Sequence, residues 1–406
     1  MKAALAILVV GFALSAAQPT ACTQGDLRLD ALRSLVDERR SFLGDPGPSI
    51  VAAGRLREDH HAAIYPRDLS IGSAFIYPPI AARPYERLAG LHPSLARASL
   101  SRVSRALFVV VVGLLVALLV VRRRPRVLEL VAAVFGALAF FPLVHAVQLN
   151  QATLAVTALI GATLLALVTE RPALAGVAVG LACAVKPHLA LVLPLLAFHA
   201  RRTVVAALAT GAALFALSLA YAGVANHVAY ATSVLPTLAR GYAYFANQSA
   251  NGLYQRLFID SDIGVFVLPP AYLPVQALTL ATAVAGYGAA ACVIHRARAR
   301  ADLAPLVFGF AWLVCTLISP IGWQHHFAPA LFVFALLLRD RTVPAPLAAL
   351  AFVLLGAYFE VRQLRDPLAL VGASYVFFGA LLLVVLLGRA LLTACAGTPG
   401  IARSGS

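Results

Sequence analysis

Long apolar runs alternate with short polar segments along most of the chain. A helix needs about 20 apolar residues to cross a lipid bilayer, and each run reaches or approaches that length. Several runs are shorter, so we expect tilted, paired or re-entrant helices among them. The runs lie at 2–17, 106–121, 127–147, 152–168, 172–184, 188–199, 203–223, 274–294, 303–318, 326–338, 344–359 and 369–388. This pattern predicts an all-α polytopic membrane protein with about 11–12 membrane helices.

Two long segments interrupt the pattern and define the predicted domain organisation. We expect a first membrane helix at 1–17, an extracytoplasmic loop at 18–105 and a multi-span membrane domain at 106–392. Within that domain, 224–273 is expected to form a second outer loop, and 393–406 a cytoplasmic tail. The first run also resembles a cleavable signal peptide, but the many later runs favour an uncleaved helix.

Composition supports a membrane protein and excludes several other classes. The chain is 61% hydrophobic and only 12% charged, whereas a soluble domain has about 25% charged residues. The net charge of +15 comes from basic residues that lie between the apolar runs, which is typical of membrane topology and argues against a nucleic-acid partner. The five cysteines form no CxxC motif, so we expect neither a disulfide framework nor a zinc site.

The distribution of Arg and Lys predicts the sidedness of the runs. If the chain begins inside and every run crosses, the inside segments hold 15 basic residues and the short outer loops hold 5. The other 12 lie in 18–105, and long segments are translocated largely regardless of charge. This orientation places 122–126 in the cytoplasm and gathers the polar clusters of distant segments on the outer face. We therefore expect an active site that faces outward.

Asp26 and Asp30 lie four residues apart just after the first run. In a helix both carboxylates share one face, and one of them could act as a general base toward a sugar hydroxyl. A polar surface helix is the alternative interpretation of this pair.

Lys186 is one of only two lysines in the chain and directly precedes Pro187. Proline favours a break between two helical pieces at this point, and an intramembrane cation usually pairs with an anionic group. A lipid phosphate would fit, although the side chain could also reach the headgroup region by snorkelling. His325 and His326 follow Ser319-Pro320 and could donate hydrogen bonds to a phosphate.

No metal site is expected. The paired histidines have no third and fourth ligand nearby in the sequence. Asp260-Ser261-Asp262 has the DxD form found in nucleotide-sugar enzymes, but it lies in an outer loop, and we interpret it as a chance occurrence.

Six short motifs follow one another along about residues 20 to 330. They are Asp26, Phe75-Ile76-Tyr77-Pro78-Pro79, Gln148-Leu149-Asn150, Ala184-Val185-Lys186-Pro187, Asn247-Gln248-Ser249 with Gly252 and Arg256, and Ser319-Pro320-Ile321-Gly322-Trp323-Gln324-His325-His326. In this order they resemble glycosyltransferase family 87, bacterial membrane enzymes related to polyprenyl-phosphomannose-dependent α-mannosyltransferases of the C-type (GT-C) fold. The chain departs from the family after Asp26, where an Arg-rich helix and an insertion at 37–67 keep Asp30 as an alternate for the catalytic aspartate.

The resemblance implies an inverting hexosyltransferase of the bacterial plasma membrane. A hexose, mannose above all, would pass from a polyprenyl-phosphate sugar to an envelope lipid or glycan acceptor, with Asp26 or Asp30 as the base and no cofactor or divalent metal. The expected donor-phosphate residues are Lys186, His325, His326 and Arg256, and the expected substrate-binding residues are Tyr77, Gln148, Asn150, Asn247 and Trp323.

Three rival functions remain open on the sequence. An arabinofuranosyl donor would keep the same chemistry with a different sugar. A secondary transporter should show a repeat and paired broken helices near the bilayer midplane, whereas this chain has one candidate break, at Lys186-Pro187, and its polar clusters share one face. A flippase-like lipid binder is the third rival.

Overall fold

The computed structural model describes residues 27–37, 41, 46–66, 74–122, 124–340, 343–362 and 366–396. In these ranges the regular secondary structure is helical, and no β-strand is present. The all-α fold expected from the apolar runs is thereby confirmed. Three predicted features lie wholly or mostly outside the described residues: the first membrane helix at 1–17, Asp26, and the tail at 393–406.

Seventeen α-helices follow one another in the described part of the chain. They are α1 (Leu27–Ser34), α2 (Pro46–Glu58), α3 (Pro93–Val120), α4 (Val127–Ala139), α5 (Phe141–Gln148), α6 (Thr153–Val168), α7 (Pro172–Val185), α8 (Val192–Ala197), α9 (Arg201–Ala229), α10 (Leu235–Leu238), α11 (Ala250–Phe258), α12 (Leu273–Ala297), α13 (Ala304–Ile318), α14 (Ala330–Asp340), α15 (Ala345–Gly356), α16 (Pro367–Gly372) and α17 (Tyr375–Ala396). Short 3-10 turns precede several of them, at Pro79–Tyr85, Pro187–Leu191, Ala301–Leu303 and Gln324–Phe327. A π-helical turn at Tyr230–Val234 joins α9 to α10.

The apolar helices account for the predicted runs. Among the described residues, five helices are long and apolar enough to cross a membrane. A sixth candidate is the pair α4 and α5, which is bent by 51°. Five shorter apolar helices complete the set. Together they cover eleven of the twelve runs; the other run, at 2–17, is outside the described residues.

The second apolar run begins within a longer helix than its hydrophobicity predicts. α3 starts at Pro93 rather than near residue 106. His92 caps this helix by accepting a hydrogen bond from the backbone N–H of Ser94, and Pro93 occupies the first turn, where a missing N–H costs nothing. Residues 93–105 therefore belong to the membrane-crossing helix and not to the preceding loop.

Small residues determine the closest helix packing. Gly176 and Gly180 lie one turn apart on α7 and face α9, where an added Cβ would overlap Thr203, Ala207 or Thr210. Without a Cβ on this stripe, the two backbones approach closely, as is common where membrane helices pack through small residues. α13 lies at the centre of the bundle, with 78% of its apolar window buried.

A second, smaller core joins the segment 46–85 to α9. Its buried residues include Leu56, Ile64, Phe75 and Tyr221. Asn226 of α9 secures the connection, because its side chain accepts a hydrogen bond from the N–H of Ile64 and donates one to the carbonyl of Ala62. The segment that carries Tyr77 is thereby held against the membrane helices.

Candidate active site

Two interrupted helices meet at one end of the bundle. α7 ends just before Lys186, because Pro187 has no backbone N–H to continue the helix. α13 ends just before Ser319-Pro320. The Nζ of Lys186 donates a hydrogen bond to Nε2 of His326, which lies in the 3-10 turn after this second break. Lys186 is only 6% exposed, so its ammonium group is largely withdrawn from water.

A cleft of about 270 Å³ lies beside this pair. Its lining is mostly aliphatic and aromatic, and a few polar groups converge on it. The polar and aromatic lining residues are Tyr77, Lys186, His188, Tyr230, Ser319, Trp323 and His326. A mainly apolar cleft with a few convergent polar groups is typical of a small-molecule binding site.

Four imidazoles extend from the lysine into the protein. The ring of His188 stacks on that of His326 with 5.8 Å between centroids, and the rings of His325 and His326 are 4.9 Å apart. His145 of α5 lies 6.5 Å from His325, and its Nδ1 is 3.0 Å from Oε1 of Gln148. His145 and His188 are not among the residues predicted from the sequence. Their positions could have revealed them, since His188 follows Lys186-Pro187 and His145 lies one helical turn before Gln148.

The hydrogen-bond roles in this cluster follow from the chemistry of lysine. A lysine ammonium can only donate, so Nε2 of His326 accepts and its proton is on Nδ1. Three buried nitrogens of the cluster, Nδ1 of His326, Nε2 of His325 and Nε2 of Gln148, have no hydrogen-bond partner among the described residues. An unpaired buried polar group costs about 1–3 kcal/mol. Groups of this kind are often completed by a ligand or by water.

The turn after α5 holds the predicted residue Asn150 and contacts Tyr77, but its own residues do not line the cleft. Asn150 adopts a positive φ of 51°, which asparagine tolerates better than most residues, and its Oδ1 accepts a hydrogen bond from Ser104. The hydroxyl of Tyr77 donates to Oε1 of Gln151 at 3.3 Å. Tyr77 therefore lies between the cleft and this turn, whereas the amide oxygen of Asn150 is bound within the protein.

Asn247 lies next to the cleft but is fully buried, and its amide is used inside the protein. Nδ2 donates to the carbonyls of Tyr242 and Pro320, and Oδ1 accepts from Ser249 Oγ and Gly322 N. These four hydrogen bonds occupy both donor hydrogens and both acceptor positions of the side-chain amide. They connect the loop before α11 to the loop after α13. The structure thus gives Asn247 a scaffolding position, not the sugar-contacting position expected from the sequence.

Arg256 also supports this loop from behind the cleft. Its Nη1 donates to the carbonyls of Asn247 and Tyr244, and its Nη2 donates to Ser374 Oγ. The residue is 2% exposed and does not line the cleft. Its guanidinium faces main-chain carbonyls, so the expected contact between Arg256 and a donor phosphate stays a prediction that this arrangement does not favour.

Trp323 forms one wall of the cleft at the edge of an aromatic group. Its ring lies 5.4 Å from Tyr242, 5.7 Å from Phe266 and 6.2 Å from Tyr244. An antiparallel bridge between Trp323 and Asn247 holds the wall to the scaffold. Burial raises the pKa of Tyr242 and that of Tyr244, so both phenols stay neutral. Such a platform presents a flat apolar surface to a bound ligand.

The structure describes one of the two candidate bases. Asp30 lies on α1, which packs against α5, the helix that carries His145 and Gln148. Its carboxylate is 3.6 Å from Arg33, and its side chain is 26% exposed. Asp26 lies outside the described residues. The helix with Asp30 is thus joined to the imidazole cluster through α5.

The described residues do not bring together three or more His, Cys, Asp or Glu side chains that could hold a metal ion. In the DxD sequence, Oδ1 of Asp262 accepts a hydrogen bond from the N–H of Gly264 and so stabilises a turn. The absence of a metal requirement stays a prediction.

The structure is a polytopic helical bundle. At one end, between two broken helices, it has a cleft with a cation and several imidazoles, which is typical of a membrane protein that binds a polar ligand. The family model of glycosyltransferase family 87 matches residues 75–320. Since the match covers more than half of the sequence, the chain belongs to glycosyltransferase family 87 and is a membrane glycosyltransferase. No curated protein and no solved structure matches the chain.

Proposed function

We propose that the enzyme transfers a hexose, with mannose as the first donor sugar to test, from a polyprenyl-phosphate sugar to an envelope lipid or glycan acceptor. The observation that carries the proposal is the buried hydrogen bond between Lys186 and His326 at a mainly apolar cleft. A lipid-linked sugar phosphate combines an anionic group with an apolar tail, and this cleft offers donors for the first and apolar walls for the second.

The reaction is an inverting displacement at the anomeric carbon. A bond forms between the acceptor oxygen and C1 as the bond between C1 and the phosphate oxygen breaks, and the electron pair of the broken bond leaves with polyprenyl phosphate. The acceptor proton passes to the carboxylate of Asp26 or Asp30. A single base is sufficient, because the phosphate leaves as an anion and needs no second carboxyl group to protonate it, unlike the leaving oxygen in a hydrolase.

Lys186 is the group suited to stabilise the leaving phosphate, because preorganised donors aimed at developing charge lower the barrier. His326 holds the ammonium in place, and His188 and His325 supply further imidazole nitrogens around the same position. Tyr77 and Trp323 line the cleft and offer ring faces to the substrate, whereas Gln148 is fully buried and does not line it. Asn247 and Arg256 act as positioning residues.

The proposed location is the plasma membrane of a bacterium, with the cleft facing outward. The excess of arginine in the segments assigned to the inside supports this orientation. Cysteine labelling of intact cells at residues 46–58 tests it with an impermeant reagent. Labelling only after permeabilisation would overturn the outward-facing site.

The decisive assay uses purified enzyme in nanodiscs with radiolabelled polyprenyl-phosphate mannose, glucose or arabinofuranose and an envelope lipid extract. We expect transfer from one hexose donor, an inverted anomeric configuration in the product, and unchanged activity in EDTA. Transfer from the arabinofuranose donor alone would replace the hexose assignment. Absence of transfer from all three donors, with an acceptor extract that supports a related enzyme, would reject the proposal.

A further inference from the structure

The last two residues of α11 and the segment that links α11 to α12 carry an exposed apolar surface outside the helical spans. Its side chains at Leu257, Phe258, Val265, Phe266, Val267 and Tyr272 are exposed; we call these six residues the apolar ledge. Phe258 is 52% exposed and Val267 is 58% exposed. Exposed apolar patches of this kind mark surfaces that contact a partner or a membrane.

The segment that carries the ledge is held in place by contacts with the rest of the protein, and it has a polar edge. The carbonyl of Ile263, which is buried, accepts a hydrogen bond from the N–H of Phe245, and the ring of Phe266 stacks on Tyr242 at 4.8 Å. The acidic tip Asp260-Ser261-Asp262 is exposed. The apolar ledge residues thus flank the acidic tip in the sequence. The ledge suits an apolar medium, and the acidic tip suits water.

The position of the ledge identifies the medium. Tyr272 directly precedes α12, which is long and apolar enough to cross the membrane. The residues next to the start of a span lie at the membrane–water boundary, where aromatic residues are enriched. The ledge is therefore continuous with the lipid-facing surface of α12, and the partner with matching chemistry is the lipid of the adjoining leaflet.

Backbone chemistry limits how deeply the segment can enter. Residues 259–272 are largely non-helical, and a non-helical backbone exposed to hydrocarbon would leave N–H and C=O groups unsatisfied. We propose that the apolar ledge lies at the level of the lipid headgroups and inserts its side chains into the boundary with the acyl chains, while the acidic tip stays in water. Interfacial elements typically reach about 5–10 Å into this boundary.

The ledge also adjoins the cleft. Phe266 is 5.7 Å from Trp323, which lines the cleft wall. An inserted ledge brings the cleft to the level at which membrane lipids present their headgroups. This insertion does not depend on which sugar or acceptor the enzyme uses, so it can fail or succeed independently of the proposed function.

Spin-label depth measurements in nanodiscs test the insertion directly. In a full-length variant without native cysteines, labels are placed at Phe258→Cys and Val267→Cys, with Ser261→Cys as the water reference and Val284→Cys in α12 as the lipid reference. Accessibility to oxygen and to a water-soluble nickel complex is compared at each site. We expect ratios of oxygen to nickel accessibility at Phe258→Cys and Val267→Cys several-fold above that at Ser261→Cys and below that at Val284→Cys.

Two results would overturn the insertion. The first is a ratio at Val267→Cys and Phe258→Cys equal to that at Ser261→Cys, which would place the ledge in water. The second is low accessibility to both reagents together with spin–spin broadening, which would place a second copy of the chain on the ledge. Since the two labelled sites are exposed side chains, a monodisperse elution profile for each variant is sufficient to exclude misfolding.

Discussion

Lys186→Met tests the chemistry of the cleft with the smallest change of shape. Methionine keeps an unbranched side chain of similar length but removes the ammonium group. In the enzyme, that group lies beside the cleft and donates to Nε2 of His326. If Lys186 stabilises the leaving phosphate, the substitution removes one charge-assisted hydrogen bond to the transition state and leaves the fold in place.

The expected loss follows from the burial of this side chain. A hydrogen bond that involves a charged group contributes about 1.5–3 kcal/mol, and at 6% exposure Lys186 is poorly screened by water. Since about 1.36 kcal/mol corresponds to a factor of ten in rate, kcat/KM should fall by roughly 10- to 150-fold. The double variant Lys186→Met, His326→Gln should lose less than the product of the two single losses, because residues in contact are coupled.

The assay measures initial rates of sugar transfer from the radiolabelled lipid-linked donor by enzyme in nanodiscs. His295→Gln is the matched control, since His295 is exposed at the C-terminal end of α12 and does not line the cleft. A melting temperature within about 2 °C of the wild-type value would show that the fold is intact. Wild-type kcat/KM in Lys186→Met would refute the assignment, and strictly independent effects of the two substitutions would refute their coupling.

Further substitutions test the base, the scaffold and an ion pair. Asp26→Asn should lower turnover about 10²- to 10⁴-fold, the contribution of a positioned base, and the same loss in Asp30→Asn alone would move the base to Asp30. Asn247→Ala should lower the melting temperature as well as activity, since unpaired buried groups cost about 1–3 kcal/mol each; an unchanged melting temperature would contradict the scaffolding role. Burial alone would raise the pKa of Glu360, but hydrogen bonds from Arg362 and its charge lower it. Because the folded pKa is the lower one, the stabilisation is present above the unfolded pKa of about 4.3 and is lost as the pH falls through the folded value. The melting temperatures of wild type and Glu360→Gln should therefore converge as the pH falls below the unfolded pKa, and a constant difference would refute the ion pair.

The helices could be predicted from the sequence because their physical cause is local. In lipid, each helix satisfies its own backbone hydrogen bonds, so a run of apolar residues is enough to specify it. The limits of the helices depended on capping. α3 begins at Pro93 because His92 caps the helix and Pro93 is favourable in its first turn. The hydrophobicity of the chain does not report these capping residues.

Residues of the candidate site could be predicted where their type was unusual for the surrounding segment. Lys186, beside a proline in an apolar run, and the pair His325-His326 were identified on that basis, and the structure brings Lys186 and His326 into contact. The only sequence signal for His145 and His188 is their closeness to Gln148 and to Lys186-Pro187. Their role arises only from the packing of α5 and the two breaks, which brings together residues separated by up to about 180 positions.

Asn247 and Arg256 show why residue type alone did not separate ligand contacts from scaffold. Both are strong hydrogen-bonding residues, and both were expected to face the substrate. The chain breaks at Pro320 and before α11 leave main-chain carbonyls without helical partners, and these two side chains satisfy them.

The helix breaks at Pro187 and Pro320 expose polar backbone in two different settings: one lines the cleft, and the other is paired inside the protein. A helix interruption within a membrane protein exposes polar backbone, which must be paired inside the protein or face a cavity. After α13, Asn247 and Gly322 pair the backbone, and the loop becomes a fixed wall. After α7, the break at Lys186 lines the cleft. There the Lys186 side chain donates a hydrogen bond to His326, which follows the break after α13. The break after α7 thus supplies a cation, and the break after α13 supplies the imidazole that orients it. This arrangement suits the phosphate of the proposed lipid-linked donor.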